Sequence, residues 1–462
     1  MKSIIGSTHP NTNVSLPLAA SCEHGGTSEQ RGRRAQQNAA LGTYTKSSPQ
    51  TDTLKTPEAL KLLALRADRY RLQNSARVLF LAEYRQSNNN ESVISIDDYN
   101  KLHRVVKCTR TKTDFEVGLH RSNDTGKCFY SGLAVCGSVW CCPVCSAKIQ
   151  ERRREEIANG INWAYGNDKT CLMITLTMPH YHSQSCSELL ENQKNALAVF
   201  RKSGEWSRKM KEFGFEGLIR SLEVTYGKNG WHPHTHEIWI MNSSFNRVQF
   251  MNLVSKRWEI ACKKFNLIPK GKLKAFREHS IDVHFDASSS DYLAKHDDEK
   301  NLSYWGADRE VASGRSKKSK GKHPFQLLDA FSSGDLKKGS LFLEYAKAFK
   351  GKRQIFWSHG LKKKVNIEDI DDLKLAERED DQAIILTSLN SYAWQAVLDN
   401  DFRAGILSLA EIEGVEGVDR WLKSKGIDLF TDTFRNFKFR ENESNIKSDS
   451  ILLDDIVLDF TR

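Results

Sequence analysis

His232, His234 and His236 fall within five residues, each separated from the next by one other residue. In a β-strand that spacing places all three imidazoles on one face. The run Gly227-Lys228-Asn229-Gly230 just before them is a strong hairpin signal. Folding the chain back there sets Glu223 opposite His234 or His236. The two registers differ by an even shift, so Glu223 stays on the histidine face in both. A carboxylate and two or three imidazoles on one patch of sheet make a donor set for a divalent metal ion.

A second donor set is sulfur. Cys136, Cys141, Cys142 and Cys145 lie within ten residues. Cys142-Pro143-Val144-Cys145 has the spacing at which two thiolates grip one zinc ion from a tight turn. Cys108 and Cys128 lie upstream and can complete a tetrahedral site. The expected set is Cys108, Cys136, Cys142 and Cys145, with Cys128 and Cys141 as substitutes that the sequence leaves open. Cys22, Cys171, Cys186 and Cys262 are isolated and read as ordinary buried thiols.

A third group is Asp291-Tyr292-Leu293-Ala294-Lys295-His296. On a helix, Tyr292, Lys295 and His296 share one face. A phenol beside a cation, on a face that meets a metal site, can attack a phosphodiester. Lys295 then neutralises phosphate charge and the metal polarises the scissile group.

These residues need elements to hold them. The apolar run Cys171–Thr177 reads as a buried strand ended by Pro179, and the histidine hairpin spans about 217–241. Helices fit 187–212 and 246–265, one is expected from about Ser146 to Asn159, and another begins near Pro57. A short helix is expected to start at Ser290-Asp291, which can cap it. Strand, helix, hairpin and helix in that order give an α+β fold with a central antiparallel sheet and helices. Ahead of it lies a zinc-binding cysteine segment, and behind it a mostly helical, acidic region. The expected divisions are a polar, disordered segment at 1–55, a helical segment at 56–104, the cysteine segment and a basic helix at 105–160, the catalytic domain at 161–365, and the acidic helical region at 366–462.

Charge is divided the same way. Residues 363–462 hold 22 acidic and 13 basic residues, a net −9, while the first 362 residues carry a net +20. A basic body with an acidic tail favours a polyanionic partner, most simply nucleic acid. Arg152, Arg153 and Arg154, and the lysines Lys317, Lys318, Lys320 and Lys322 of a cationic loop, are the expected phosphate contacts. No apolar run is long enough to span a membrane and no secretory leader is evident. The expectation is a cytoplasmic protein whose ten cysteines are reduced and, where clustered, bind metal.

Taken together, the three motifs resemble those of the rolling-circle plasmid replication initiators of the HUH endonuclease superfamily. Ile174-Thr175-Leu176-Thr177 resembles the first motif, Gly230 to His236 the second, and Tyr292 to Lys295 the third. Cys136 to Lys148, His323 to Leu328 and Trp357 to Lys362 also resemble that family, and the likeness covers about 100–365. It implies an HUH-like endonuclease domain that binds a double-strand plasmid origin and nicks one strand at a single-stranded site. Tyr292 becomes linked to the 5′-phosphate and frees a 3′-OH primer, with a host helicase and polymerase as partners. Mg²⁺ or Mn²⁺ is held by Glu223, His234 and His236, with His232 assisting. Two positions depart from the family pattern. Thr235 replaces a bulky apolar residue, and His296 stands where two-tyrosine relatives carry a second phenol. As an imidazole, His296 is a candidate general base for the terminating cleavage. Tyr304 is the alternative nucleophile. A transposase or relaxase of the same superfamily shares this chemistry, and a non-catalytic zinc-containing DNA-binding regulator shares only the cysteines and the basic surface. No phosphate-cradling GxxxxGK[ST] motif is present, which disfavours a helicase-bearing relaxase.

Overall fold

A computed structural model of the chain describes residues 57–88, 96–285, 321–377 and 383–429. The expected nucleophilic helix with Tyr292, Lys295 and His296, together with Tyr304, Lys317, Lys318 and Lys320, lies outside these residues, as does Cys22. Among the described residues, nine helices have nine or more residues: α1 (Pro57–Asn88), α2 (Pro143–Gly166), α3 (Cys186–Phe200), α4 (Gly204–Glu212), α5 (Arg247–Lys264), α6 (Pro324–Ser332), α7 (Leu336–Phe349), α8 (Ser391–Asp399) and α9 (Arg403–Lys423). The strands are β1 (Val117–Arg121), β2 (Cys128–Tyr130), β3 (Lys169–Leu176), β4 (Gly217–Gly227), β5 (Gly230–Asn242), β6 (Ile281–His284), β7 (Gly321–Lys322), β8 (Ile355–Trp357) and β9 (Ile384–Leu389). None of the described helices is long and apolar enough to cross a membrane.

The expected α+β class with an antiparallel sheet is what the chain adopts. The larger sheet runs β6-β3-β5-β4-β7, with β8 also on the outer edge of β4, and every pairing is antiparallel. Its spine is the β4–β5 hairpin, closed by Gly227 opposite Gly230. Gly230 has φ +83, and a Cβ there would sit 2.9 Å from the His182 backbone, so glycine is required on both counts.

Alternation along β5 divides the sheet into two faces. On one, Leu172, Ile174, Leu176, Trp239 and Met241 join the main core with Phe200, Trp206, Phe250 and Trp258 from α3, α4 and α5. Glu237 also points into this core. It is fully buried, paired with Arg201, and accepts a 2.8 Å bond from the Trp239 indole. The opposite face is apolar at one end, where Cys171, Ile219, Ile238 and Ile240 pack under Ile157, Ile161 and Ala164 of α2 and beside Trp357. Gly160 makes that approach possible, since a Cβ there would meet the Trp357 ring at 2.8 Å. Continuing along the same face, the next even-numbered residues of β5 are His236, His234 and His232.

One local expectation is corrected. The single helix expected at 187–212 is two, α3 and α4, interrupted at Arg201–Ser203. Ser203 caps α4 by accepting from the Trp206 amide at 3.0 Å. The described part of the region from 366 is mostly helical, as expected, but it also holds a strand that the sequence did not suggest. β9 crosses back to pair with β1 and completes a second, three-stranded sheet in the order β2-β1-β9. α9 packs on α1, β2 and β9, so these described elements are built into the body of the fold.

Candidate metal centres

The hairpin register sets Glu223 opposite His234 and Ser221 opposite His236. On the other side of β5, Thr175 of β3 lies opposite His236. One carboxylate and two imidazoles meet there, with their donor atoms within 4.8 Å of one another. Glu223 Oε2 is 3.6 Å from His234 Nε2 and 3.8 Å from His236 Nε2.

The far side of each ring is tied back. His234 Nδ1 lies 3.1 Å from the His232 carbonyl. A carbonyl only accepts, so Nδ1 carries a proton, and Nε2 is the ring atom left facing Glu223. His236 Nδ1 lies 3.0 Å from Thr175 Oγ1, which allows the same tautomer. Ser221 donates to Glu223 Oε1 at 3.4 Å. Nitrogens converging on one side, with hydrogen bonds fixing each ring from the other, are what imidazoles that bind a metal require. The donor set therefore fits a divalent cation.

Electrostatics agree with the geometry. Burial raises the Glu223 carboxyl, but His236 and His234 beside it outweigh that and hold it below the usual range. Burial lowers His234, yet the Glu223 carboxylate beside it raises it overall. His236 is lowered, chiefly by burial.

His232 is not brought into this group. It shares the face but turns aside, with Nε2 2.8 Å from Thr177 Oγ1 and its ring stacked on His180 at 4.4 Å. Burial, then the neighbouring histidines His234, His180 and His236, push it down to about 3. Sequence reasoning put it among the ligands because alternation fixes the face of a side chain and not its rotamer. His323 was not assigned to the site from sequence. It caps α6 by accepting from the Phe325 amide at 3.2 Å, and burial pushes it down to about 4 against the opposing pull of Glu223. Thr175 and Thr177 stood in the quoted first motif without a role, and they are the outer partners of His236 and His232.

Four of the ten cysteines make the second group. The thiols of Cys108, Cys136, Cys142 and Cys145 all lie within 4.8 Å of one another. Cys108 Sγ is 3.4 Å from Cys145 Sγ and 3.8 Å from Cys142 Sγ, and Cys136 Sγ is 3.5 Å from Cys145 Sγ. Cys142 also caps α2, where Pro143 occupies the first turn and the Cys145 amide points at Cys142 Sγ. Four convergent sulfurs with no disulfide are a donor set for tetrahedral zinc. Cys128 and Cys141 are buried outside this group.

The basic residues divide. Arg153 cannot serve as a phosphate contact in this arrangement. Its guanidinium is held by Glu156 at 2.9 Å, Asp372 at 2.7 Å and the Ile370 carbonyl at 2.8 Å. Arg154 pairs with Glu151. Arg152 is half-buried, and Lys322 is exposed on β7 beside the turn end of β4.

A family model described as Replication protein matches residues 132–402. "Protein rep" of Streptomyces lividans is 25% identical over 342 residues, covering 58% of this chain and 73% of that protein. A "Neomycin resistance protein" of Streptomyces cyanogenus is 30% identical over 139 residues, covering 23% of this chain and 30% of that protein. No solved structure matches the chain. The matched span takes in more than half of the sequence, the whole Glu223–His234–His236 group and three of the four gathered thiols, and the chain belongs to the replication-protein (Rep) family of plasmid replication initiators.

Proposed function

We propose that this protein starts rolling-circle replication by nicking one strand of a plasmid origin, through an HUH-type site on the polar half of the central sheet. The observation that carries the reading is the pair of imidazole Nε2 atoms aimed at one Glu223 oxygen, with His234 locked from behind by a carbonyl. When bound there, Mg²⁺ or Mn²⁺ would polarise the scissile phosphate and neutralise the charge that builds on it. Glu223, His234 and His236 would hold and orient that ion. Tyr292 attacks phosphorus through its phenol oxygen. The P–O3′ bond breaks, the 5′-phosphate stays on the tyrosine, and the departing oxygen takes a proton to become the 3′-OH that primes a host polymerase. Lys295 offsets phosphate charge, and His296 serves as base for the tyrosine or for the terminating step. Lys322, Arg152 and the lysines at 317, 318 and 320 contact the DNA backbone, and a host helicase opens the duplex ahead.

Zinc at Cys108, Cys136, Cys142 and Cys145 has a structural part in this scheme, since a closed four-thiolate site leaves no position for substrate. The functional reading is tested by incubating the full-length protein with a single-stranded origin oligonucleotide and Mn²⁺. A covalent protein–DNA adduct is expected, lost with chelator and lost in Glu223→Gln. Cleavage that is indifferent to chelator and to Glu223→Gln would refute the assignment of the site.

A further inference from the structure

Behind the thiol group lies a buried polar relay that the proposed nicking chemistry does not use. Gln73 of α1 is 2% exposed. Its Nε2 donates to Cys142 Sγ at 3.3 Å. Its Oε1 accepts from Thr109 Oγ1 at 2.9 Å and from Arg403 Nη1 at 2.8 Å. Arg403, the first residue of α9, is 1% exposed. It also reaches Thr109 Oγ1 at 3.0 Å and Asp401 Oδ1 at 3.2 Å, and lies over the Tyr70 ring at 5.0 Å. Arg110, two residues past Cys108, is buried and comes within 3.9 Å of the same Asp401 carboxylate, which is 46% exposed.

Guanidiniums out of water need compensating negative charge. Asp401, half in solvent, serves two of them. A zinc ion with four thiolates carries a net double negative charge, one side-chain amide away from Arg403. Gln73 is oriented to link the two, with its donor toward sulfur and its acceptor toward the cation. The relay also spans the boundary of the family match. Gln73 precedes residue 132 and Arg403 follows residue 402, whereas Cys142 lies inside.

We propose that Arg403, relayed through Gln73, is the counter-charge of a tetrathiolate zinc centre, and that zinc thereby fastens the flanking helices α1 and α9 to the family-matched body. This rests on the zinc reading above. Arg403 and Gln73 are positioning residues here and touch no substrate.

The test uses full-length protein, with zinc per chain measured across a chelator titration and backbone hydrogen exchange followed in α1, α9 and β3–β5. A hydrogen bond to a charged group is worth enough to shift zinc retention on the order of tenfold. Arg403→Met is expected to release zinc at about tenfold lower chelator. Asp401→Asn is the second variant. It removes the competing carboxylate at a half-exposed position with φ +45, a conformation asparagine tolerates. It should hold zinc at least as tightly as wild type. A purely structural relay would weaken retention in both variants, so the opposite signs are diagnostic. Stripping zinc from wild type should raise exchange in α1 and α9 while β3–β5 stay protected. Retention within twofold of wild type in Arg403→Met, weaker retention in Asp401→Asn, or unchanged exchange in α1 and α9 would overturn the proposal alone. Wild-type protein purified without zinc would overturn the zinc reading and this proposal together.

Discussion

Thr175→Val is a narrow probe of the histidine site. Valine has the shape of threonine and suits a strand, so β3 should be undisturbed. What is lost is the oxygen 3.0 Å from His236 Nδ1. Without that acceptor the ring can move its proton to Nε2, toward Glu223, which is 3.8 Å away. Metal binding must then reverse the tautomer and leave Nδ1–H facing a methyl group. Losing one such bond at a buried group, with His236 only 6% exposed, costs about 1–3 kcal/mol. That is roughly a 10- to 100-fold loss of affinity, the range seen when outer partners of metal-bound histidines are removed. Mn²⁺ binding by calorimetry and the Mn²⁺ dependence of strand cleavage should shift together, and saturating Mn²⁺ should restore most of the rate. An Mn²⁺ affinity within twofold of wild type would refute the claim that Thr175 fixes the ligand ring.

Three further outcomes follow from the same structure. Thr235 is fully buried on the core face, and its hydroxyl has no hydrogen-bond partner, so Thr235→Val should raise the unfolding free energy by about 1–3 kcal/mol, seen as a higher urea midpoint, with Mn²⁺ binding unchanged; a destabilised variant would contradict this. His232 at about 3 and His323 at about 4 lie below the ordinary 6.5, so the unfolded chain binds the extra protons, and their stabilisation is present above pH 6.5 and is lost as pH falls toward those values. His323→Asn keeps a capping side chain and removes one titration, and its melting temperature should fall less than that of wild type between pH 6.5 and pH 4; identical profiles would contradict the assignment. Arg152→Gln should reduce the salt slope of DNA binding by about one counterion, whereas Arg153→Gln should leave the slope alone and loosen the segment around Asp372; the reverse pattern would show the wrong arginine was assigned to the phosphate.

What the sequence disclosed follows from local rules. Alternation and a glycine-bounded turn were enough to pair Glu223 with the histidine face, because a two-residue period fixes the side of every residue. The Cys142–Cys145 pair was equally local, and Cys136 lay close by. Other features depend on distant chain. β9 was missed because its partner β1 lies more than 260 residues earlier and its flanks are acidic. His232 was placed with the ligands because nothing local shows that Thr177 and His180 would hold it. The run of three arginines looked uniform, yet Arg153 is engaged by Asp372, 219 residues away. Gln73 and Arg403 carry no motif, and only the fold joins them to Cys142.

The most direct test of the central claim is to map the adduct. Full-length protein is incubated with single-stranded origin DNA and Mn²⁺, digested, and the DNA-linked peptide identified by mass spectrometry, with Tyr292→Phe in parallel. The tyrosine mechanism requires a 5′-phosphate on Tyr292, no adduct in Tyr292→Phe, and DNA binding and zinc content unchanged in that variant. An adduct on Tyr304, one that persists in Tyr292→Phe, or cleavage without any covalent intermediate would contradict it.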